Sequence, residues 1–418
     1  MLFTGRLSAL RHRQFRNFWL ASFASVGATQ LQVMVQGWLV FDLTNSPLML
    51  GYLGAAAGIP AIIMTLFGGA LADRLNRKHL LMATSFVTAG LLLTLAMLDF
   101  SGHVAAWHVI LITGVISVIS GLDWPTRQAI FPAFIERADM MSAIALNSVV
   151  WQCGRMIFPA FGGLLIALYD TSIVLVLCAL GFAIMGGVVA TLKVEPPPAN
   201  PAHSTMHQVR EGLLFTLGNR YFLVLISLSY ASMFFGASYM QLMPAFSSLL
   251  DAGSAGYGYL LSCTGVGSVA GTIIVGSMQY SKRLGWILLG SSMISALCIY
   301  AFSAVTAYAY LLENAAMILA MATAFSIAMF ASVFLVSSMT VMQLAVPDEL
   351  RGRVMGLHGI TYSLMPLGGL FAGVIASVSS APVAITVSAT VYLLFITFIL
   401  VTQHTIRNID GERVQAAY

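Results

Sequence analysis

Twelve long apolar runs, separated by short polar segments, follow one another along the chain. Each run is close to or above the roughly 20 residues that a helix needs to cross a bilayer. The pattern therefore predicts an all-α membrane protein with twelve transmembrane helices. Their predicted limits are 17–42, 48–72, 79–98, 105–123, 141–168, 171–192, 221–247, 255–279, 284–304, 312–338, 354–378 and 383–402.

The composition supports this class. Hydrophobic residues make up 59% of the 418 residues and charged residues only 8%, with a mean hydropathy of +0.90. A soluble domain carries about 25% charged residues, so this chain cannot cover itself with a surface suited to water. The four cysteines lie in apolar runs without paired spacing, and the eight histidines lack metal-ligand spacing. With no catalytic constellation and no phosphate-binding loop, the sequence predicts neither an enzyme nor a bound metal or cofactor.

The basic residues indicate the orientation. If the N-terminus is cytoplasmic, every lysine and arginine except Arg155 lies in a terminal segment or a cytoplasmic loop. This distribution follows the positive-inside rule and predicts a multi-pass protein of the bacterial cytoplasmic (inner) membrane with both termini inside. The first span lacks a clear cleavage site and is expected to stay in the mature protein. Since the basic charge reflects topology, no nucleic-acid partner is predicted.

The chain divides into two similar halves. We expect six-helix bundles at 1–193 and 221–402, a linker with a short surface helix at 194–220, and a cytoplasmic tail at 403–418. The sequence QAIFP follows the fourth span and QLAVP follows the tenth, and each precedes a span with a proline and a glycine pair. Duplicated six-span halves related by an axis normal to the membrane are a known transporter design.

The loop GGALADRLNRKHLL at 68–81 resembles a signature of the major facilitator superfamily. The matching positions are Gly69, Asp73, Arg74, Arg77 and Lys78. The resemblance covers the whole chain and implies two pseudo-symmetric bundles that work by alternating access. Asn76 replaces a usual glycine, and because Asn tolerates a positive φ, we expect the turn to be kept. The resemblance also implies a latch on Asp73, with Arg127 as the preferred partner and Asp123 nearby.

The fifth span, GRMIFPAFGG, resembles an exporter signature of this superfamily, with Phe158 and Ala145 in place of two of its glycines. The matching residues are Gly154, Pro159, Gly162 and Gly163. Longer stretches around 123–148 and 346–359 resemble the branch that contains the enterobactin exporter and macrolide and multidrug efflux proteins. The resemblance implies a monomeric secondary exporter of small amphipathic molecules, siderophores or drugs, driven by proton antiport. The alternatives are an importer or lipid flippase on this fold, or a sensor without transport.

Arg155 lies deep in the fifth span, where insertion costs about 2.5–3.5 kcal/mol. Three roles remain open: a packing anchor between helices, a cavity cation that attracts anionic groups, and a gate or coupling element. A guanidinium donates five hydrogen bonds and needs acceptors. The candidates are Gln152 on the same helix and the first-span residues Gln30, Gln32 and Gln36.

By resemblance, the first, fourth, seventh and tenth spans line the cavity. The seventh span offers aromatic and amide side chains suited to amphipathic ligands, namely Tyr230, Phe234, Phe235, Tyr239 and Gln241. A proton-driven antiporter usually needs a group that titrates within reach of the cavity. The candidates, each of which is otherwise an ordinary interface residue, are Asp42, Asp123, Glu313 and His358.

Overall fold

The computed structural model describes residues 7–72, 75–193, 205–278, 281–313 and 315–410, which fold into helices without a strand. Twelve helices within these ranges are long and apolar enough to cross a membrane. They are α1 Arg13–Thr44, α2 Pro47–Ala72, α3 Arg77–Phe100, α4 Ala106–Ile130, α5 Met140–Leu168, α6 Thr171–Thr191, α7 Arg220–Leu249, α8 Gly253–Met278, α9 Leu284–Ala307, α10 Ala315–Ala345, α11 Asp348–Val378 and α12 Ala381–Thr402.

Several helices continue beyond the apolar runs that predicted them. The fourth run ends at 123 and the tenth at 338, whereas α4 ends at Ile130 and α10 at Ala345. Hydropathy marks the part of a helix suited to hydrocarbon, but backbone hydrogen bonding continues into the polar interface. The tenth helix begins at Ala315 and not at the predicted 312, because Glu313 has a φ of 46° and separates a short helix from α10.

α7 is an interrupted helix. A regular first part ends at Ala231, a π-helical turn follows at Ser232–Gly236, and a 3₁₀ turn follows at Ser238–Met240. A final short helix, Met243–Leu249, has Pro244 in its first turn, where a missing N–H is tolerated. Wide and tight turns of this kind often mark functional positions. The break brings the backbone of Phe234 against Gly368 of α11.

The loop before α3 differs from the expected turn. Asn76 has a φ of −65° instead of a positive value, and its side chain accepts hydrogen bonds from the backbone N–H groups of Lys78 and His79. Asn is among the preferred N-cap residues, so here it replaces glycine by capping a helix. Lys78 Nζ donates to the carbonyl oxygen of Leu192 at 2.7 Å and holds this loop against α6.

The linker helix lies beside the second half. The Pro-rich segment 194–204 is outside the described residues, but a helix spans Thr205–Gly218. Glu211 forms an ion pair with Arg353 of α11. Gly212 packs so closely on Arg353 that an added Cβ would lie 3.0 Å from that side chain. The helix is thereby attached near the start of α11.

The buried core has one part shared by both halves and two parts that are separate. We call the side where α1 begins and α12 ends the termini face, and the other side the opposite face. Near the opposite face a single cluster joins both halves, for example through Leu39, Leu53, Tyr257 and Ala372. Toward the termini face, one cluster belongs to the first half and another to the second. Within the described ranges, the buried core therefore joins the halves at the opposite face and is divided between them toward the termini face.

Candidate functional site

Glycines bring the two halves together along α2 and α11. A Cβ on Gly54 would collide with the carbonyl oxygen of Pro366, and one on Gly58 would lie 3.1 Å from the carbonyl oxygen of Ser363. Gly373 of α11 packs in the same way on Pro47 of α2. Small residues allow such close backbone approach between membrane helices. This line of contact, the α2–α11 seam, closes the opposite face on one side.

α5 and α8 form a second seam. A Cβ on Gly258 would collide with the carbonyl oxygen of Pro159, and a Cβ on Gly265 would lie 2.7 Å from that of Arg155. The backbone N–H of Ala160 donates to Ser262 Oγ at 2.9 Å. The glycine-rich sequence around Pro159 therefore has a definite use here, because it lets α5 lie directly against the facing half.

Both seams open toward the termini face. On α11, a Cβ on Gly359 would lie 3.7 Å from Thr65, whereas a Cβ on Gly356 or Gly352 would meet no atom within 4 Å among the residues that the structure describes. Gly276, near the end of α8, is equally open. Together with the division of the core into two clusters on this side, the seams define a cavity between the halves. It is closed at the opposite face and open at the termini face.

Arg155 lies on the cavity side of α5. The outer side of this helix is marked by Ile157, Phe161 and Leu164, which are 54%, 47% and 42% exposed. At 3.6 residues per turn, Arg155 points about 200° away from Ile157. Arg155 and Ser148, two turns earlier, are both exposed. This stripe leads from the open end of the cavity to the point where the α5–α8 seam closes.

The glutamines proposed as partners do not bind Arg155 in this state. Its guanidinium forms no hydrogen bond or ion pair with the described part of the chain. Gln32 donates to Gln36 at 3.3 Å and both are buried, while the stem of Gln30 packs near Gly154. An anchoring role would require a buried, partnered guanidinium, so this geometry favours a group that is available to a ligand.

Phe158, Gly162 and Gly163 contribute packing. The Phe158 ring fills the space above Gly27, and its centroid lies 5.5 Å from that of Phe23. A Cβ on Gly162 would lie 2.6 Å from the side chain of Leu31. Gly163 lies against Gly258, and its carbonyl oxygen accepts a hydrogen bond from Ser254. These contacts fix α5 between α1 and α8.

Gln241 and Tyr239 lie outside the open cavity. Gln241 Nε2 donates to the carbonyl oxygen of Leu50 at 3.0 Å, a contact between the two halves at the opposite face. The Trp38 and Tyr257 rings stack 6.1 Å apart on the other side of the same closure. Tyr239 is 2% exposed and packs on Phe302 within the second half. Gln241 thus helps to seal the cavity, whereas Tyr239 belongs to the core.

Tyr230 and Phe234 line a different space. With Phe235, Leu364 and Phe395 they border an apolar crevice of about 360 Å³ between α7, α11 and α12. The Tyr230 hydroxyl donates to the carbonyl oxygen of Leu357 at 2.7 Å. The crevice adjoins the broken part of α7.

Asp123 and Arg127 form an ion pair in α4. Arg127 Nε donates to Asp123 Oδ2 at 2.6 Å, and another guanidinium nitrogen donates to Ser25 Oγ at 2.8 Å. The other Asp123 oxygen accepts from Thr84 Oγ1 at 3.0 Å. Arg127 also borders a small cleft with Trp124 and Trp151, whose rings lie 5.0 Å apart. The pair joins three helices of the first half beside the open end of the cavity.

The remaining candidates are scattered. Asp42 and Glu313 are exposed near the opposite face. His358 is 2% exposed, and its Nε2 has no hydrogen-bond partner in the described structure. Asp73 and Arg74 lie outside the described residues, so the proposed Asp73–Arg127 latch stays a prediction. Gly69 lies within α2.

Tyr362 is an exposed residue of α11 that the sequence pattern alone does not single out. It lies four residues before Pro366, as Arg155 lies four residues before Pro159, and it is 54% exposed. The proline repeat was visible in the sequence. That repeat places the residues one turn before each proline, Arg155 and Tyr362, at equivalent positions of the two halves.

Comparison with known proteins agrees with this architecture. Residues 4–417 match the transmembrane secretion effector family. The chain is 26% identical over 359 residues to the enterobactin exporter EntS of Shigella boydii serotype 18, covering 84% of this chain and 82% of that one. EntS of Escherichia coli O81 has the same identity and coverage.

Solved structures of transporters share the fold. A bacterial homologue of the human lysosomal transporter Spinster, inward-facing and occupied, has a TM-score of 0.73 at 13% identity, covering 95% of this chain and 98% of that one. The nucleoside transporter NupG has a TM-score of 0.69 at 16% identity, covering 94% and 98%. These relatives are transporters and not enzymes. The chain therefore belongs to the transmembrane secretion effector family of the major facilitator superfamily.

Proposed function

We propose that this protein is a secondary exporter of small amphipathic molecules that carry an anionic group, such as siderophores. In this proposal the termini face lies in the cytoplasm of a bacterium, and the substrate enters the cavity from there. Arg155 binds its anionic group, and apolar surfaces hold the rest. The halves then close at the termini face and open at the opposite face. The relatives named as enterobactin exporters support this substrate class.

One observation carries the proposal. Arg155 is an exposed cation that has no hydrogen-bond or ion-pair partner among the described residues, and it lies at the closed end of a cavity between two halves whose described parts pack together at the opposite face. A charge at this depth is costly unless it has water or a partner. A guanidinium forms strong, directional bonds with carboxylates and other planar anions. The exposure of Arg155 is therefore better explained by a ligand than by a role in packing.

Flux into inside-out membrane vesicles tests the function. A catecholate siderophore and a cationic dye are offered separately, with and without an imposed proton gradient. We expect the siderophore to accumulate only when the vesicle lumen is acidic. Siderophore uptake by intact cells carrying the protein would instead indicate an importer. Binding without flux in either direction would indicate a sensor. Flux of labelled phospholipid alone would favour a flippase.

Asp123 is the coupling residue that the geometry favours. It lies in a spanning helix beside the open cavity and holds Arg127, whereas Asp42 and Glu313 lie near the closed face. Binding of a proton would remove the negative charge of Asp123 and weaken its charge-assisted bond to Arg127. The freed Arg127 would then be available to rearrange contacts near Ser25 and the loop after α2.

Replacing Asp123 by Asn tests this coupling. We expect Asp123→Asn to reduce gradient-driven accumulation about tenfold or more, because the amide cannot exchange a proton with the two compartments. Exchange of substrate at equal concentration on both sides should persist, since it requires no net proton movement. Asp42→Asn, a change of the same chemistry near the opposite face, serves as the control. Equal loss of accumulation and exchange would assign Asp123 a structural role.

A further inference from the structure

The two halves present different side chains at equivalent places in the cavity. The carbonyl oxygen of Pro159 faces Gly258 of α8, and the carbonyl oxygen of Pro366 faces Gly54 of α2. These contacts are related by the pseudo-symmetry that exchanges the halves. Counting four residues back from each proline gives Arg155 in the first half and Tyr362 in the second. The two residues therefore lie at the same depth relative to the seams.

Tyr362 also points in the equivalent direction. Ser363 and Pro366 face α2 across the seam, while Gly368 faces the broken part of α7. Tyr362 lies on the side of α11 between these contacts. Leu364, which borders the crevice beside α7, and Phe371, which packs on the rings of Phe234 and Phe235, point about 180–200° away from Tyr362. A tyrosine exposed by 54% on the inner side faces the cavity. Its hydroxyl forms no hydrogen bond with the residues that the structure describes.

We infer that Tyr362 forms the wall of the binding site opposite Arg155, and that the pair selects ligands combining an anionic group with an aromatic ring. This inference rests on the proposed function and extends it. Arg155 supplies charge and directional donors. Tyr362 supplies a flat apolar face with one polar end, which stacks on rings and donates or accepts one hydrogen bond. An aliphatic anion of similar size engages Arg155 but gains no stacking from Tyr362.

Two sulfonates distinguish these contributions. Naphthalene-2-sulfonate and octane-1-sulfonate carry the same charged group, but only the first has an aromatic system. Binding to the purified full-length protein in detergent is measured by calorimetry. We expect Tyr362→Leu to raise the Kd for naphthalene-2-sulfonate about five- to tenfold, which is the size of a lost aromatic contact. Binding of the octane compound should change less than twofold. Tyr362→Phe should retain most of the preference for naphthalene-2-sulfonate over octane-1-sulfonate. Arg155→Met should weaken the binding of both sulfonates.

Tyr310→Leu is the matched control, since Tyr310 is 74% exposed in a short helix away from the cavity. Equal weakening of both ligands by Tyr362→Leu, or no weakening of either, would overturn the inference. It is also overturned if the wild-type protein binds neither sulfonate but exports the siderophore in vesicles; the proposed function then stands. Absence of vesicle flux together with selective naphthalenesulfonate binding would leave the site intact and contradict the transport proposal instead.

Discussion

Arg155→Met should strongly reduce the export of anionic substrates while leaving that of cationic substrates nearly unchanged. Methionine has a similar length and suits an apolar helix, but it lacks the charge and the five donors of arginine. A hydrogen bond to a charged group contributes about 1.5–3 kcal/mol, so the transport KM for a siderophore should rise about ten- to a hundredfold. Initial flux into inside-out vesicles, measured over a range of concentrations, gives this value directly.

Two further variants identify the cause of such a loss. Arg155→Lys keeps the charge but not the planar fork, so we expect partial activity. Arg137→Met makes the same substitution at an exposed arginine between α4 and α5 and should leave the transport KM unchanged. Protein abundance in the membrane is measured for each variant. If Arg155→Met transports every substrate with the wild-type KM, the arginine has no role in binding.

Gly258→Ala should shift the conformational equilibrium away from the state that is closed at the opposite face. The shift should be larger than for any substitution of similar size at an open position. The added Cβ would collide with the carbonyl oxygen of Pro159, which is backbone and cannot rotate away. Overpacking of this kind costs about 1–3 kcal/mol, which is about a five- to 150-fold shift between the states. We expect the opposite face to open and transport to fall.

Distances between spin labels at Tyr169→Cys and Leu249→Cys, one exposed residue from each half near the opposite face, report this opening. The four native cysteines are first replaced by serine. Gly258→Ala should increase the population of the longer distance. Gly276→Ala, where a Cβ would meet no atom of the described residues within 4 Å, should leave that population unchanged. Equal distance distributions in all three proteins would show that the α5–α8 seam does not control the closure.

The fold was predictable because its signals are repeated many times. Each of the twelve apolar runs depends on composition over about 20 residues, so small errors at the ends do not change the outcome. The ends themselves were less predictable, as α4 and α10 show by continuing about seven residues beyond their runs. Asn76 was correctly identified as a substitute for glycine, but its mechanism was wrong. It caps α3 and does not adopt a positive φ.

The site was predictable only in part, because hydropathy does not tell which side of a buried helix faces a cavity. Arg155 stood out because it is charged. Residue type alone suggests Tyr230, Phe234 and Tyr239. The structure places the first two in the crevice beside α7 and the third in the core. Tyr362 escaped notice because a tyrosine in a membrane span is unremarkable in composition. Its position follows from the seams and from the pseudo-symmetry, which depend on contacts between distant parts of the chain.

Thiol accessibility along α5 tests most directly the claim that Arg155 lies in a transport cavity. Ser148→Cys is on the inner side, two turns from Arg155, and Ile157→Cys is on the outer side of the same helix. In a protein without native cysteines, each is exposed to a charged, membrane-impermeant maleimide. We predict that the maleimide labels the Ser148→Cys protein in inside-out vesicles and that bound siderophore slows this labelling. The Ile157→Cys protein should not be labelled. If Ile157→Cys is labelled and Ser148→Cys is not, Arg155 lies outside the cavity, which contradicts its proposed role in binding the substrate.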